Sequence, residues 1–374
     1  MINVCNVISD KNIGGAGKCI LTFLKYYSKD KINLTIILPQ GSLLIPEIEK
    51  LGGNYIEIDG LGDKSLDLGC IGKLKKIFNE IKPDIIHTHA AMSAKIAGKL
   101  YKKAKIIYTR HSVFEPSPII SKGLGKIING LVNNYLSDRI IAVAEAAKRN
   151  LTDTGISENK IIVIKNGVEP ILRLSDDEIR EERKKYNIDD DVFLIGIAAR
   201  LTEVKGHTII LDALKKLRED HLNVKLVIAG TGEYEPEIRK RIEELGLNDS
   251  VVMAGFINDI TRFMNCLDLN INASFGTEAT SLSLLEGLSI GLPCVVSDFG
   301  GNPGVVYDGI NGYLFESKNH TMLYEKIKYV VSDKSLLLKL KNGAKEVFDK
   351  EFRAEIMTGK TEDVYYSVLE GKRA

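Results

Sequence analysis

No apolar run in the sequence approaches the roughly 20 residues that a membrane-spanning helix requires. The start of the chain also lacks the charged lead and apolar stretch of a secretory signal. Both absences point to a cytoplasmic protein. No C-x-x-C pair occurs, and the five cysteines (Cys5, Cys19, Cys70, Cys266 and Cys294) are odd in number and widely scattered. A disulfide framework and a zinc site are thereby left without support, and buried thiols are the expectation. Low-complexity segments and close internal repeats are missing as well. What is present is an apolar fraction of 44% and a charged fraction of 27% in 374 residues. That is more chain than one hydrophobic core usually supports, so two domains are expected.

A net charge of +1 conceals an uneven distribution. Residues 1–168 carry 24 Lys and Arg against 15 Asp and Glu, which leaves 27 against 35 for the remainder. Lysines crowd two stretches of the first half, Lys73, Lys75 and Lys76, then Lys95, Lys99, Lys102, Lys103 and Lys105. Such a face suits an anionic lipid surface, and it equally suits plain solvation.

Short β-rich runs alternate with amphipathic helical stretches throughout. The first series is INVCNVI, LTIILP, NYIEI, DIIHTH, KIIYTR, RIIAVA and KIIVIKN. The pattern breaks between Asn166 and Val192, where S-D-D-E-I-R-E-E-R-K-K-Y reads as a solvated helix in a linker region. A second series follows: VFLIGIAA, VKLVIAG, SVVMAGF, DLNINAS and PCVVSD. The expected class is α/β, two doubly wound parallel sheets facing across a cleft. The domains are placed at residues 1–168 and 169–357, with a final helix over about 358–374 packing back on the first.

Several constellations bear on chemistry. The stretch NIGGAGKCI, residues 12–20, resembles a phosphate loop, but Asn12 stands where a Walker glycine belongs and Cys19 where the hydroxyl belongs. It reads as a turn in which Gly14 and Gly15 let backbone approach an anion at a helix N-terminus, or as a tight turn without a ligand. Arg200 and Lys205 sit between a strand and a helix, a placement suited to a diphosphate, with plain exposure as the alternative. Glu278 lies in the loop after DLNINA, and Glu286 within the apolar stretch SLSLLEGLSIG, where a carboxylate needs a partner such as a sugar diol. Between them Thr280, Ser281 and Leu282 present helix N-terminal N–H groups, although Ser281 as an N-cap with an ion-paired Glu286 is the rival reading. His87 and His89 share one face of a strand and line an interior or an acceptor region rather than a metal. Asp189, Asp190 and Asp191 read as a solvated turn. G-T-G-E-Y-E at 230–235 lacks the last glycine of a dinucleotide fingerprint.

Taken together, Arg200 and Lys205, the Glu278–Glu286 spacing, G-L-P-C-V-V-S-D-F-G-G and D-G-I-N-G-Y-L-F resemble the donor domain of retaining GT-B glycosyltransferases of family 4. Gly14-Gly15, T-R-H-S around His111, A-E-A-A-K-R-N-L and K-N-G-V-E extend the resemblance over nearly the whole chain. It implies transfer of a hexose or N-acetylhexosamine from a nucleotide diphosphate sugar, UDP favoured, to a glycan or lipid-linked acceptor. No cofactor, metal or nucleic acid is implied. Arg200 and Lys205 would grip the diphosphate, Glu286 the ribose and Glu278 the sugar hydroxyls. Gly255 and Phe256 would lie by the base, Gly15 near the phosphates, and His111 by the reaction centre. One departure stands out, because Gly304 occupies the position after G-G-N-P where the family commonly has glutamate. A nucleotide-sugar epimerase and a non-catalytic carbohydrate- or lipid-binding protein share the architecture and remain as alternatives.

Overall fold

A computed structural model describes residues 1–62, 66–89 and 91–371 and resolves the chain into two units, Met1–Val168 with Ala354–Ala374, and Glu169–Arg353. The first unit contains β1 (Ile2–Ile8), β2 (Ile32–Pro39), β3 (Asn54–Ile58), β4 (Ile85–His89), β5 (Lys105–Arg110), β6 (Arg139–Ala142) and β7 (Ile161–Val163). All pairs are parallel, in the order β3-β2-β1-β4-β5-β6-β7. Val4 of β1 lies opposite Leu34 on one side and Ile85 on the other. Helices cover both faces, so the central strands are buried along most of their length rather than on alternate residues. Ile20 and Phe23 of the helix Gly15–Tyr26 pack on one face, and Leu74 and Phe78 of the helix Leu68–Ile81 on the other.

The second unit repeats the plan with β8 (Phe193–Ala198), β9 (Val224–Ala229), β10 (Val251–Gly255), β11 (Leu269–Asn272), β12 (Cys294–Ser297) and β13 (Gly312–Phe315). Its order is β10-β9-β8-β11-β12-β13. Ile210 and Leu214 cover one face, Phe263 and Met264 the other. In each unit the strand order reverses once, between β1 and β4 and between β8 and β11. Ligands of open α/β sheets bind beyond the carboxyl ends of the strands at such a reversal.

Two expectations about surface charge are corrected. The stretch read as a solvated helix, Asp176–Lys185, opens with a capping box of Ser175 and Glu178 but buries both Glu182 and Arg183. Arg183 reaches Asp268 at 3.4 Å, and Lys185 pairs with Glu182 at 2.6 Å. The crowded lysines are likewise not one open basic face. Lys95 is buried, Lys99 and Lys105 share Asp138, and Lys73 pairs with Asp59. Sequence spacing does not reveal Asp268 or Asp138 as partners, because each comes from another element.

The last helix, Ala354–Glu370, belongs to the first unit and starts about one turn before residue 358; residues 372–374 lie outside the described residues. Met357, Val364 and Tyr365 join the core formed by Ile20, Phe23 and Ile36. Glu362 accepts hydrogen bonds from the Ser28 N–H and hydroxyl at 2.7 and 2.9 Å.

Candidate functional site

In the second unit the loop after β8 carries Arg200 and then a short turn, Glu203–Lys205, before the helix His207–Glu219. Gly206 joins turn to helix with φ +72°, and a Cβ there would come within 2.2 Å of the Ala273 carbonyl. Only glycine allows the end of β8 to approach the end of β11 so closely. The approach places Lys205 Nζ 2.8 Å from Glu278 Oε2 and 3.3 Å from the Thr277 carbonyl. Asn272 Nδ2 and the Ser274 hydroxyl donate to the same Oε2, each at 3.1 Å. Glu278 is only 7% exposed and Lys205 20%, so this is a partly dried ion pair within a hydrogen-bond network. Two residues expected to grip different parts of a ligand therefore also hold each other.

A second layer fixes Glu278 through its backbone. Its carbonyl accepts the Gly301 N–H at 3.0 Å, and Gly300, at φ +63°, passes so near that a Cβ would sit 2.1 Å from it. The fully buried Asn302 donates to Ser297 Oγ at 3.1 Å, and that hydroxyl donates to the Ser274 carbonyl at 2.6 Å. Asn272, Ser274 and Asn302 escaped the sequence reading, since single Asn and Ser residues have no signature of their own. Gly304 ends the short turn Asn302–Gly304, and a Cβ there meets nothing within 4 Å. The position that resembles the family's glutamate site is sterically open.

Arg200 is exposed and lines a cavity of about 280 Å³ with Gly230, Thr231, Phe256, Ile257 and Ile260. Gly255, at φ +67°, turns the chain where β10 ends and leaves Phe256 70% exposed. Ser281 precedes the helix Leu282–Ser289 but makes no side-chain cap. Its hydroxyl instead meets Ser283 Oγ at 3.0 Å, and Ser283 donates to the Ala198 carbonyl at 3.0 Å. The cap alternative is thus not realised, and the first turn with Thr280, Ser281 and Leu282 is tethered to the end of β8. Glu286 is half-buried on the same helix. His207, fully buried beside this loop, has its imidazole pushed down to about 4 by burial and then by Lys205.

In the first unit the reversal point carries Gly14, Gly15 and a file of histidines. Gly14 precedes the helix Gly15–Tyr26 without a side-chain cap, and its N–H donates to the Asn12 carbonyl at 2.9 Å. Asp10 accepts from the Asn12 N–H at 2.9 Å, closing a tight turn. Gly15 is exposed, with nothing within 4 Å of a Cβ placed on it. His87, His89 and His111 stack, with ring centroids 4.4 and 5.0 Å apart. His87 is hydrogen-bonded to the Tyr365 hydroxyl at 2.7 Å and to Thr109 Oγ1 at 2.6 Å. His89 Nδ1 lies 2.7 Å from His111 Nε2, and His111 Nδ1 has no partner among the described residues. Burial holds His111 near pKa 4 and His87 near 3, with His111 adding to the latter, and keeps His89 well below its usual value. The imidazoles are neutral at pH 7, suited to exchanging hydrogen bonds rather than carrying charge.

Residues 178–347 match the family described as glycosyl transferases group 1, and residues 13–171 match glycosyltransferase family 4. The chain belongs to the family 4 glycosyltransferases. This glycosyltransferase is 25% identical over 311 residues to the N-acetyl-alpha-D-glucosaminyl L-malate synthase of Bacillus anthracis, covering 81% of this chain and 80% of that one. It is 25% identical over 327 residues to the UDP-Gal:alpha-D-GlcNAc-diphosphoundecaprenol alpha-1,3-galactosyltransferase of Escherichia coli, covering 82% and 81%. The structure of Anabaena Alr3699/HepE in complex with UDP and glucose aligns with a TM-score of 0.86 at 20% identity, covering 98% of this chain and 100% of that one. The glycosyltransferase therefore has the GT-B fold, two Rossmann-like sheets of seven and six strands. Among its described residues no cluster of three or more His, Cys, Asp or Glu side chains could hold a metal, and no helix is long and apolar enough to cross a membrane.

Proposed function

We propose that this glycosyltransferase moves a hexose or N-acetylhexosamine from a UDP-sugar to the hydroxyl of a lipid-linked or cell-surface glycan precursor, with the anomeric configuration retained. The proposal rests above all on the Lys205–Glu278 pair at the β8/β11 reversal, beside the cavity that Arg200 lines. A flat base fits against Phe256 and the turn at Gly255, with Glu286 accepting from the ribose diol. Arg200, Lys205 and the N–H groups of Thr280, Ser281 and Leu282 face the diphosphate; in the first unit, the backbone at Gly14 and Gly15 is suited to an anion at a helix N-terminus. Glu278 takes hydroxyls of the transferred sugar, and in the first unit the neutral His111 is suited to hydrogen-bond a sugar hydroxyl.

The bond from C1 to the β-phosphate oxygen breaks as the acceptor oxygen bonds to C1 on the same face. The departing phosphate oxygen accepts the acceptor's proton. Fixed cations aimed at the developing diphosphate charge lower this barrier without reorganising, an effect worth about 3–4 kcal/mol for one well-placed donor. Glu278, already neutralised by Lys205, serves poorly as the nucleophile of a double-displacement glycosidase scheme. The chemistry needs no metal. The UDP-sugar and the lipid-linked acceptor follow the printed activity of the Escherichia coli relative, and the malate synthase marks a soluble acceptor as the competing case.

Titration with UDP and with UDP-sugars, followed by product analysis with donor alone and with a polyprenyl-diphosphate sugar added, tests the proposal. Donor-dependent transfer that survives chelator is expected, with UDP affinity falling at least roughly tenfold in Arg200→Ala. Release of an epimer from donor alone points to the epimerase reading, and absence of UDP binding removes the proposal.

A further inference from the structure

Segment 116–137 of the first unit contains no Asp or Glu, two lysines (Lys122 and Lys126) and eleven Ile, Leu, Val, Pro and Tyr side chains. It folds as a short turn of helix, Pro118–Ser121, and the helix Gly123–Leu136. A surface helix ordinarily buries its apolar stripe and shows its polar one. This helix does the reverse. Gly130 packs so tightly on Gly155 that a Cβ would lie 2.1 Å from its carbonyl, Asn129 donates to the Thr154 carbonyl at 2.7 Å, and Asn133 is buried. The opposite face carries Leu124, Ile127, Ile128, Leu131 and Tyr135, at helical spacing and all exposed, with Ile119 just ahead of them. Leu124 is 77% and Leu131 66% exposed. A contiguous exposed apolar stripe of this kind marks an interaction surface.

Beneath the helix lies a cavity of about 340 Å³ that Ile120, Asn129 and Asn133 help to line. Two cations enter it. Lys95 is 3% exposed, with Nζ 3.0 Å from Asn133 Oδ1 and 4.5 Å from the Tyr108 ring centroid. Arg110 donates to the Asn150 side chain at 3.1 Å and to the Ser112 carbonyl at 3.0 Å, stacked 4.2 Å over Phe114. Among the described residues no Asp or Glu lines the cavity and no carboxylate pairs with either cation. Burial, then Arg110, pushes the Lys95 ammonium down to about 8, as expected for a cation lacking its counter-charge.

We infer that this face docks on an anionic lipid bilayer, the helix Gly123–Leu136 lying in the interfacial layer while the Lys95–Arg110 cavity takes a phosphate head group. An apolar stripe with lysines beside it and no acid in the segment has the composition of an interfacial helix. A second copy of the chain fits less well, since a two-fold contact brings Lys122 and Lys126 of both copies together with no acid in the segment to answer them. The surface gives the lipid-linked acceptor of the proposed reaction a route to the enzyme, and it rests on that reading for its purpose only.

Flotation of the full chain with phosphatidylcholine vesicles, with and without phosphatidylglycerol, tests the inference. Wild type is expected to float with the anionic vesicles, and the doubly substituted Ile128→Glu/Leu131→Glu protein to lose about tenfold or more of the bound fraction at an unchanged Tm. Lys95→Met is expected to lose the preference for anionic over neutral vesicles. Should Lys95→Met fail to fold, a short-chain phosphatidylglycerol below its micellar concentration must raise the wild-type Tm more than the choline lipid of equal length. The surface is overturned if wild type floats with neither vesicle, if the double variant floats as well as wild type, or if the stripe proves to hold a dimer that the double variant dissociates. The head-group site is overturned by equal Tm shifts or by an undiminished anionic preference in Lys95→Met. UDP binding, measured on the same samples, reports on the glycosyltransfer proposal separately, because neither the stripe nor Lys95 contributes to the donor site.

Discussion

Lys205 and Glu278 depend on each other, so removing one does more than delete a contact. Lys205→Ala leaves a carboxylate that is 7% exposed with only the Asn272 and Ser274 donors on the bonded oxygen. Stability is expected to fall by about 2 kcal/mol alongside turnover, because a buried charge stripped of its partner is costly. The double change Lys205→Met/Glu278→Gln should recover at least half of that stability while turnover stays at least a hundredfold down. Urea midpoints and turnover on the same proteins check this, and full additivity of the two single changes would contradict the coupling. At this scale the sequence was generous about charge and silent about company. Arg200, Lys205, Glu278 and Glu286 stand out because a charge beside an apolar strand end needs explaining. Asn272, Ser274 and Asn302 do not, because their role is set by where distant loops meet. Lys95 misleads in the same way, since K-I-A-G-K-L-Y-K-K looks uniformly exposed until Tyr108 and Asn133 enclose its first lysine.

Loops at the carboxyl ends of strands do most of the positioning, and glycines decide how closely they pass. Gly300 and Gly304 make a contrast within one motif. A methyl group at Gly300 would meet the Glu278 carbonyl at 2.1 Å in a left-handed backbone, whereas at Gly304 it meets nothing within 4 Å. Gly300→Ala is expected to cost about 2 kcal/mol or more and to weaken UDP binding, and Gly304→Ala less than about 1 kcal/mol. Thermal melts with and without UDP separate the two, and equal costs would show that the close approach is not needed. The strands were legible because β-rich runs between helical stretches leave few arrangements for a parallel sheet. The helix Asp176–Lys185 was legible as an element through its capping residues, but its exposure was not. Arg183 lies within a charged string and finds Asp268 and the Cys266 carbonyl more than 80 residues away, besides the nearby Val192 carbonyl.

Across the whole molecule, four buried imidazoles set the response to acid. His87, His89, His111 and His207 all have pKa values held below 6.5 by burial, so the folded chain binds fewer protons than the unfolded one as pH falls below that value. Their contribution to stability is complete above about pH 6.5 and is lost as pH falls toward 4, with His207 alone accounting for about 2 kcal/mol by pH 5. Depressed carboxylates such as Glu178 and Asp220 begin to act only below their own unfolded values, at more acid pH. A urea midpoint unchanged between pH 7 and 5 would contradict this assignment. The sequence displayed the H-x-H pair and its shared face, while Tyr365, which bonds His87 from 278 residues away, lay beyond any local pattern. That bond also orders events during synthesis. The first sheet is complete once β7 has been made, yet Phe23 and His87 lack the ring of Tyr365 until it emerges, about 200 residues later. During that interval the nascent first unit has an unfinished core, so residues 1–168 expressed alone should be aggregation-prone, and rejoining them to Ala354–Glu370 through a flexible linker should restore solubility.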